Sequence, residues 1–342
     1  MAKNPRAAYF VKFASQAIPL GPKISAPMSP PKNLPSQPPQ PSKLIGIKPS
    51  RLYLPHDKRF SGKRLIDFFA QHFCHIDKAI WQQRFEQGLI HTQTGEVLAI
   101  NTPYQAGQTV LYYRQVDNEP IIPFEPTILY LDDHLLVVDK PHFLPVIPTG
   151  EYVSQTLLAK LRLHPQLQTV PHLNVMDISP IHRLDKDTAG VMLLTVNPAT
   201  RSAYQGLFEK KQVKKVYEAI APTRTDLAYP LTVESRLVRG EAFFLTQTVA
   251  GEPNSKTTIE LVQHLGEISL YRLTPLTGKK HQLRVHMASL NMPLVNDNFY
   301  PVAQPKGTTD FNKPLKLLAK SITFIDPLTQ QFRQFDSQFS LI

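Results

Sequence analysis

In the stretch "SPIHRLDKDTAGVMLLTVNP" (179–198), Arg183, Asp185 and Asp187 stand directly ahead of an apolar run with strand character. A carboxylate fixed at the mouth of a buried strand can serve as nucleophile or base if it stays ionised, which requires a nearby cation. "TGKKHQLRVH" (277–286) offers Lys279, Lys280 and Arg284. Tyr217 in "VKKVYEAIA" adds an aromatic hydroxyl on a separate strand. Plainer roles compete: an acid at a strand mouth can simply form a turn, and a strand tyrosine can simply pack. His281 and His286 are five apart, off the i, i+4 face of a helical metal site, so no metal is expected. "LTGKKHQ" lacks the upstream glycine and the hydroxyl of a phosphate-binding loop. Neither G-x-G-x-x-G nor G-x-S-x-G occurs, and no cofactor is expected.

The elements that must carry these residues read as follows. "AGVMLLTVNP", "VKKVYEAIAP", "TIELVQHL" and "ISLYRLTPL" are strands, and "TILYLDDHLLVVDKP" is a hairpin around Asp132, Asp133 and His134. "SQTLLAKLRLH", "PATRSAYQGLF" and "HQLRVHMASLNM" have helical spacing. Irregular alternation with short turns predicts an α+β domain on a large mixed, mainly antiparallel sheet. Further upstream, Leu65, Phe68, Phe69 and Phe73, then Ile80, Phe85 and Leu89, predict two short helices, followed by a loop and strand in "TPYQAGQTVLYYRQV". The predicted organisation is a tail at 1–50, a small module at 51–116 with its aromatics in a core, and the main domain at 117–342.

Composition narrows the partner. The 342-residue chain carries a formal net charge of +11, which points to a polyanion. Residues 1–50 hold Lys3, Arg6, Lys12, Lys23, Lys32, Lys43 and Lys48 with no acid, and are dense in proline. Such a segment cannot bury enough apolar surface to offset its ordering, so a disordered segment is predicted, either a basic arm that adds affinity for phosphates or a merely solvated tail. Cys74 is the only cysteine, which fits a reducing, cytosolic compartment. No apolar run is long enough to span a membrane.

Four ordered blocks carry a resemblance. "HRLDKDTAGVMLL" resembles the H-R-L-D-x-x-T-S-G-[LV] signature of the RluA family of RNA pseudouridine synthases. "ILYLDDHLLVVDKP" resembles that family's hairpin ending in N-K-P-x-G, and "VKKVYEA" its K-x-Y-x-A strand. "LTGKKHQLRVHMASLNMPLVNDNFYP" is similar to its T-G-R-x-H-Q-[IL]-R-x-H block with the following H-P-[IL]-x-G-D-x-x-Y. The likeness covers about 125–330. The 51–116 module is similar to a small RNA-binding domain shared with a small-subunit ribosomal protein. Departures are Asp139 for Asn, Phe143 for Gly, Ala189 for Ser, Lys279 for Arg and Asn296 for Gly.

The resemblance implies a cofactor-free isomerisation of uridine to pseudouridine in large-subunit ribosomal RNA or tRNA, by a monomer in the cytoplasm. It makes Asp185 the nucleophile or base, with Arg284 gripping its carboxylate through two hydrogen bonds. Tyr217 would stack on uracil and could take a proton. The target base must leave its stack, and Arg183 is the candidate to fill the gap. His182, Lys140, Lys279, Lys280 and His281 complete the implied RNA contacts. Two rivals remain at this point: an inactive RNA-binding relative, and a glycoside hydrolase with Asp187 as second acid.

Overall fold

The computed structural model describes residues 46–342 apart from Asp117, Lys306 and Thr308, so the expected basic arm lies almost wholly outside the described residues. The chain first builds a three-stranded antiparallel sheet from β1 (Ser50–Tyr53), β2 (Ile90–Thr92) and β3 (Thr109–Tyr112), with β3 central. Helices α1 (Leu65–His72) and α2 (Lys78–Glu86) cover it. Asp77 starts α2 by accepting the Ala79 N–H at 2.7 Å. Phe60, Phe68, Phe69, Trp81 and Phe85 are buried together, so these aromatics form a core. Ile47, Leu89, Tyr113 and Val153 form a second small cluster, and Arg114 Nη2 donates to the Gly150 carbonyl at 3.0 Å. Both tie this sheet to the segment that follows it.

The rest of the chain forms an eleven-stranded sheet. In chain order its elements are β4 (Thr127–Leu131), β5 (Leu135–Lys140), α3 (Leu157–Leu163), α4 (Pro165–Gln168), β6 (Ser179–Pro180) and β7 (Ala189–Thr195). There follow α5 (Arg201–Glu209), β8 (Lys214–Pro222), β9 (Leu231–Arg239), β10 (Thr246–Val249), β11 (Ser255–Leu265) and β12 (Ile268–Pro275). Last come α6 (Gln282–Ser289), β13 (Leu317–Ile325) and β14 (Phe332–Asp336). The strand order is β10-β9-β11-β12-β8-β13-β7-β5-β4, with β14 on β13 and β6 on β7. Among the described strands only β7 and β13 pair parallel, so the sheet is mixed but mainly antiparallel.

β5 and β7 are buried along their whole length because both faces of the sheet are covered there. Leu136, Val138, Met192 and Leu194 face α3 through Leu157, Leu158 and Leu161. Their alternates, Leu135, Val137, Val191 and Leu193, face α5 through Tyr204 and Leu207. A third core sets Leu283 and Met287 of α6 against Ala219, Ile259, Tyr271 and Leu273. These three cores fix the strand ends from which the candidate site is built.

Candidate active site

One row across the sheet positions the chemistry. Gly190 of β7 is opposite Ala319 of β13, Ala319 is opposite Tyr217 of β8, and Tyr217 is opposite Leu273 of β12. Asp185 lies five residues before Gly190, in the turn entering β7, where the Thr188 N–H donates to the Asp185 carbonyl at 3.2 Å. The row therefore holds Tyr217 two strands away from the end that carries Asp185. Gly190 has φ +114, and a Cβ there would sit 2.2 Å from the Ala319 carbonyl oxygen. Only glycine lets these strands approach so closely.

Asp185, Tyr217, Arg284, Arg183, Lys279 and His281 line one cavity of about 610 Å³. The Asp185 carboxylate is partly open, its side chain 18 % exposed. Its Oδ1 is 3.8 Å from Arg183 Nη2 and its Oδ2 is 3.8 Å from His281 Nε2. The backbone of its turn is held from β5. Lys140 Nζ donates to the carbonyls of Pro141 (2.9 Å), Leu144 (2.9 Å) and Lys186 (3.0 Å). His142 Nδ1 lies 2.6 Å from the Asp187 carbonyl.

This corrects the expectation that Lys140 meets RNA: it is fully buried and all three of its N–H bonds are engaged inside the protein. Burial pushes its pKa down to about 7, with Asp187 and Asp185 acting against the shift. Three accepting carbonyls require three protons, so the ammonium is the form that fits.

Arg284 is a second correction. It does not grip Asp185. Its Nε and Nη2 donate to Asp297 Oδ2 and Oδ1 at 2.8 and 2.5 Å, and both side chains are buried. Asp297 sits in the loop after α6, where its Oδ1 also accepts the N–H groups of Phe299 and Tyr300. Asp297 thus occupies the Nε/Nη2 edge of the guanidinium, and no hydrogen bond joins Arg284 to Asp185 among the described residues. Burial opposes the charge on Arg284, but Asp297, then Asp185 and Asp187, outweigh it and raise its pKa. Its Nη1 is buried without a partner among the described residues.

His281 takes the place beside Asp185. It is buried and adopts a left-handed backbone, φ +53, at the start of α6. Burial, Arg284 and Lys280 push its pKa down to about 3, so the ring is neutral. The Tyr300 hydroxyl accepts the Thr246 N–H at 2.9 Å and lies 2.8 Å from His281 Nδ1. Donation by that hydroxyl to Nδ1 leaves the ring proton on Nε2, facing Asp185. His281 thus lies in the cavity wall, where only a group entering the cavity can reach it.

His182, half-buried, also lines the cavity while its ring is engaged within the protein. Its Nε2 accepts the Leu193 N–H at 2.9 Å and its ring stacks on Phe208 at 4.8 Å. Burial, then Lys215, pushes its pKa down to about 4. Arg183 is different, with 63 % of its side chain exposed, and Lys279 is exposed at the cavity edge. Tyr217 has its pKa raised by burial and by Asp185, so its resting form is the phenol and not a ready base.

The departures from the family pattern also acquire physical content. Phe143 and Asn296, both where the pattern has glycine, have φ +65 and +63. Asn tolerates this region, whereas for Phe it costs about 1–2 kcal/mol. Phe143 is buried against Phe311 at 5.2 Å and Phe124 at 6.1 Å, contacts that a glycine cannot make. Asp139 accepts Ser337 Oγ at 2.8 Å and the Gln338 N–H at 2.7 Å, so it anchors the C-terminal segment, and burial raises its pKa. Asp297, Tyr300 and His142 were not singled out from the sequence, although "VNDNFYP" contains the first two.

Residues 134–289 match the family model described as RNA pseudouridylate synthase. An uncharacterized RNA pseudouridine synthase of Synechocystis sp. is 30 % identical over 243 residues, 69 % of this chain and 79 % of that one. The chain belongs to the RluA family of RNA pseudouridine synthases. Among other relatives of this pseudouridine synthase is the ribosomal large subunit pseudouridine synthase C of Vibrio cholerae, 25 % identical over 80 % of this chain and 89 % of the relative. The mitochondrial tRNA pseudouridine(32) synthase of Saccharomyces cerevisiae is 26 % identical over 71 % of this chain and 51 % of its own. The fold is shared with human RNA pseudouridylate synthase domain containing 1, at a TM-score of 0.51 and 22 % identity over 65 % of this chain and 86 % of that one. Membership makes this synthase an isomerase of uridine in RNA and sets the hydrolase reading aside.

Proposed function

We propose that Asp185 starts the isomerisation and that large-subunit ribosomal RNA is the substrate. In the net reaction the N1–C1′ bond of uridine breaks, a C5–C1′ bond forms, C5 loses a proton and N1 gains one. Attack on the anomeric carbon, addition to the uracil ring and removal of a ribose proton all begin from an ionised carboxylate. The observation that carries this reading is a partly open carboxylate at a rigid strand entrance, facing Arg183 and His281, in a cavity shared with Tyr217. A cavity of this size suits one flipped nucleoside. Tyr217 stacks on the uracil and keeps its proton. Arg183, exposed at the mouth, fills the vacated stack and touches phosphate. Lys279 and Lys280 add backbone contacts.

The ribosomal assignment is supported by the Vibrio cholerae relative, whose similarity spans 80 % of this chain and so reaches beyond the main sheet into the small module. The module at 51–116 presents Lys58, Arg59, Lys63 and Arg64 to solvent and is assigned to RNA docking. The enzyme acts as a cytosolic monomer; no described helix is long and apolar enough to cross a membrane. Carbodiimide-dependent primer stops on RNA from cells with and without the gene test this reading. It expects loss of at least one stop in large-subunit RNA from the deletion strain. A lost stop in tRNA alone moves the substrate, and no lost stop makes the chain an inactive RNA-binding relative.

A further inference from the structure

Between β9 and β10, residues 240–245 form a tight tip. The Gly240 N–H donates to the Leu245 carbonyl at 3.1 Å and the Leu245 N–H to the Ala242 carbonyl at 2.9 Å. A Cβ on Gly240 would come within 3.0 Å of Leu245 Cβ. The tip is thus shaped by close backbone packing, yet it presents Phe243 to solvent, 70 % exposed. An isolated exposed apolar side chain is ordinary, but this ring has two unusual sets of neighbours.

First, it begins an aromatic series that leads to the cavity wall. Phe243 meets Phe244 edge-on at 5.5 Å, Phe244 meets Phe299 at 5.4 Å, and Phe299 meets His281 at 5.6 Å. The Arg284 guanidinium lies 4.8 Å from the Phe299 ring centre. Second, the backbone of the tip is tied to a lysine of the cavity edge. Lys280 Nζ donates to the Phe243 carbonyl at 3.4 Å, and Lys280 feels the charges of Arg183 and Arg239 as well as Asp185. Glu241 is the only acid in the tip and is exposed. An open aromatic ring on a tip held by a lysine, backed by packed rings, is an arrangement that single-stranded nucleic acid can use for stacking. A protein partner would have no need of the flanking positive charge.

We propose that Phe243 is a stacking platform for a nucleobase neighbouring the flipped uridine, with Lys280 and Arg239 holding the adjoining phosphates. This rests on the reading that the cavity takes uridine from RNA. Flipping leaves neighbouring bases with one face uncovered, and a fixed ring at the cavity edge covers such a face. Because every base has such a face, the contact adds affinity without selecting sequence.

The test measures binding of an oligouridylate of about twelve nucleotides to the full chain, alongside pseudouridine formation in the same oligonucleotide. Phe243→Ala is expected to raise Kd about tenfold or more, while Phe243→Trp stays within about twofold of the parent. Irradiation at short wavelength should crosslink the parent to RNA through the tip peptide. Asp185→Asn serves as a control that binds but does not react. Unchanged Kd for Phe243→Ala overturns the proposal. So does unchanged Kd with a shift from dimer to monomer in sedimentation, which assigns the ring to contact between copies. If Phe243→Ala weakens binding but no protein forms pseudouridine, the platform stands and the assignment of the reaction falls.

Discussion

Arg284 is locked by two hydrogen bonds onto Asp297, at 2.8 and 2.5 Å, and shares the cavity with Asp185 without pairing to it. The two carboxylates therefore have separate duties. Asp297 neutralises and orients a buried guanidinium, while the Asp185 carboxylate stays outside that pair and partly open to the cavity, where the proposed reaction needs it.

That division predicts opposite phenotypes. Asp297→Ala leaves a buried, unpaired guanidinium and should destabilise the protein by about 3–5 kcal/mol. Asp185→Asn, at a partly exposed carboxylate whose charged and ring partners Arg183 and His281 stand off at 3.8 Å, should shift stability by less than about 1 kcal/mol and abolish turnover. Urea titration of both variants checks this. Equal loss of stability at the two positions contradicts the division.

Lys140 and Arg183 should separate in the same way on RNA. Lys140→Ala strands three carbonyls, two of them in buried hydrogen bonds, and should cost about 3 kcal/mol of stability. Arg183→Ala should leave stability unchanged and lower the salt dependence of RNA binding by about one counterion. A reduced salt slope for a folded Lys140 variant would restore that lysine to the RNA interface.

Gly190→Ala should be severe despite adding a single methyl. The new Cβ meets the Ala319 backbone at 2.2 Å in a φ region that L side chains rarely adopt. A loss of about 3 kcal/mol or more is expected, or insoluble protein. Calorimetry showing a loss under about 1 kcal/mol would mean that β7 and β13 do not approach as described.

Three histidines, two buried and one half-buried, set an acid sensitivity. His281 is pushed down to about 3, and His182 and His286 to about 4, chiefly by burial. Each is neutral when folded but gains a proton near pH 6.5 when unfolded. Their contribution is complete above about pH 6.5 and is lost progressively as pH falls toward 4. The thermal midpoint should already decline between pH 6.5 and 5, above the range in which carboxylates dominate. A flat midpoint in that interval would contradict the neutral assignments.

Local pattern disclosed much of the architecture. The continuous apolar runs of β5 and β7 show themselves because both faces are covered, and α3, α5 and α6 show themselves through helical spacing. The hydrophilic strand β10 and the half-exposed strands β9 and β14 carry little signal. The parallel contact of Gly190 with Ala319 joins segments more than a hundred residues apart, and no local pattern encodes it. The same limit applies to the site. Asp185 and Arg183 are legible as residue types ahead of a strand and Tyr217 as an aromatic within one, whereas the partner of Arg284 depends on how the loop after α6 folds back. Lys140 illustrates the converse, since a lysine beside an RNA-like motif suggests a phosphate contact until burial shows what its protons serve.

The most direct measurement is single-turnover conversion of the RNA uridine identified in the deletion strain, using purified parent and Asp185→Asn at equal, saturating RNA affinity. Pseudouridine is read by nucleoside chromatography. The parent should form close to one pseudouridine per site, and Asp185→Asn should bind the RNA equally and form none. Pseudouridine formation by Asp185→Asn at a rate near the parent's would contradict the assignment of the reaction to this carboxylate.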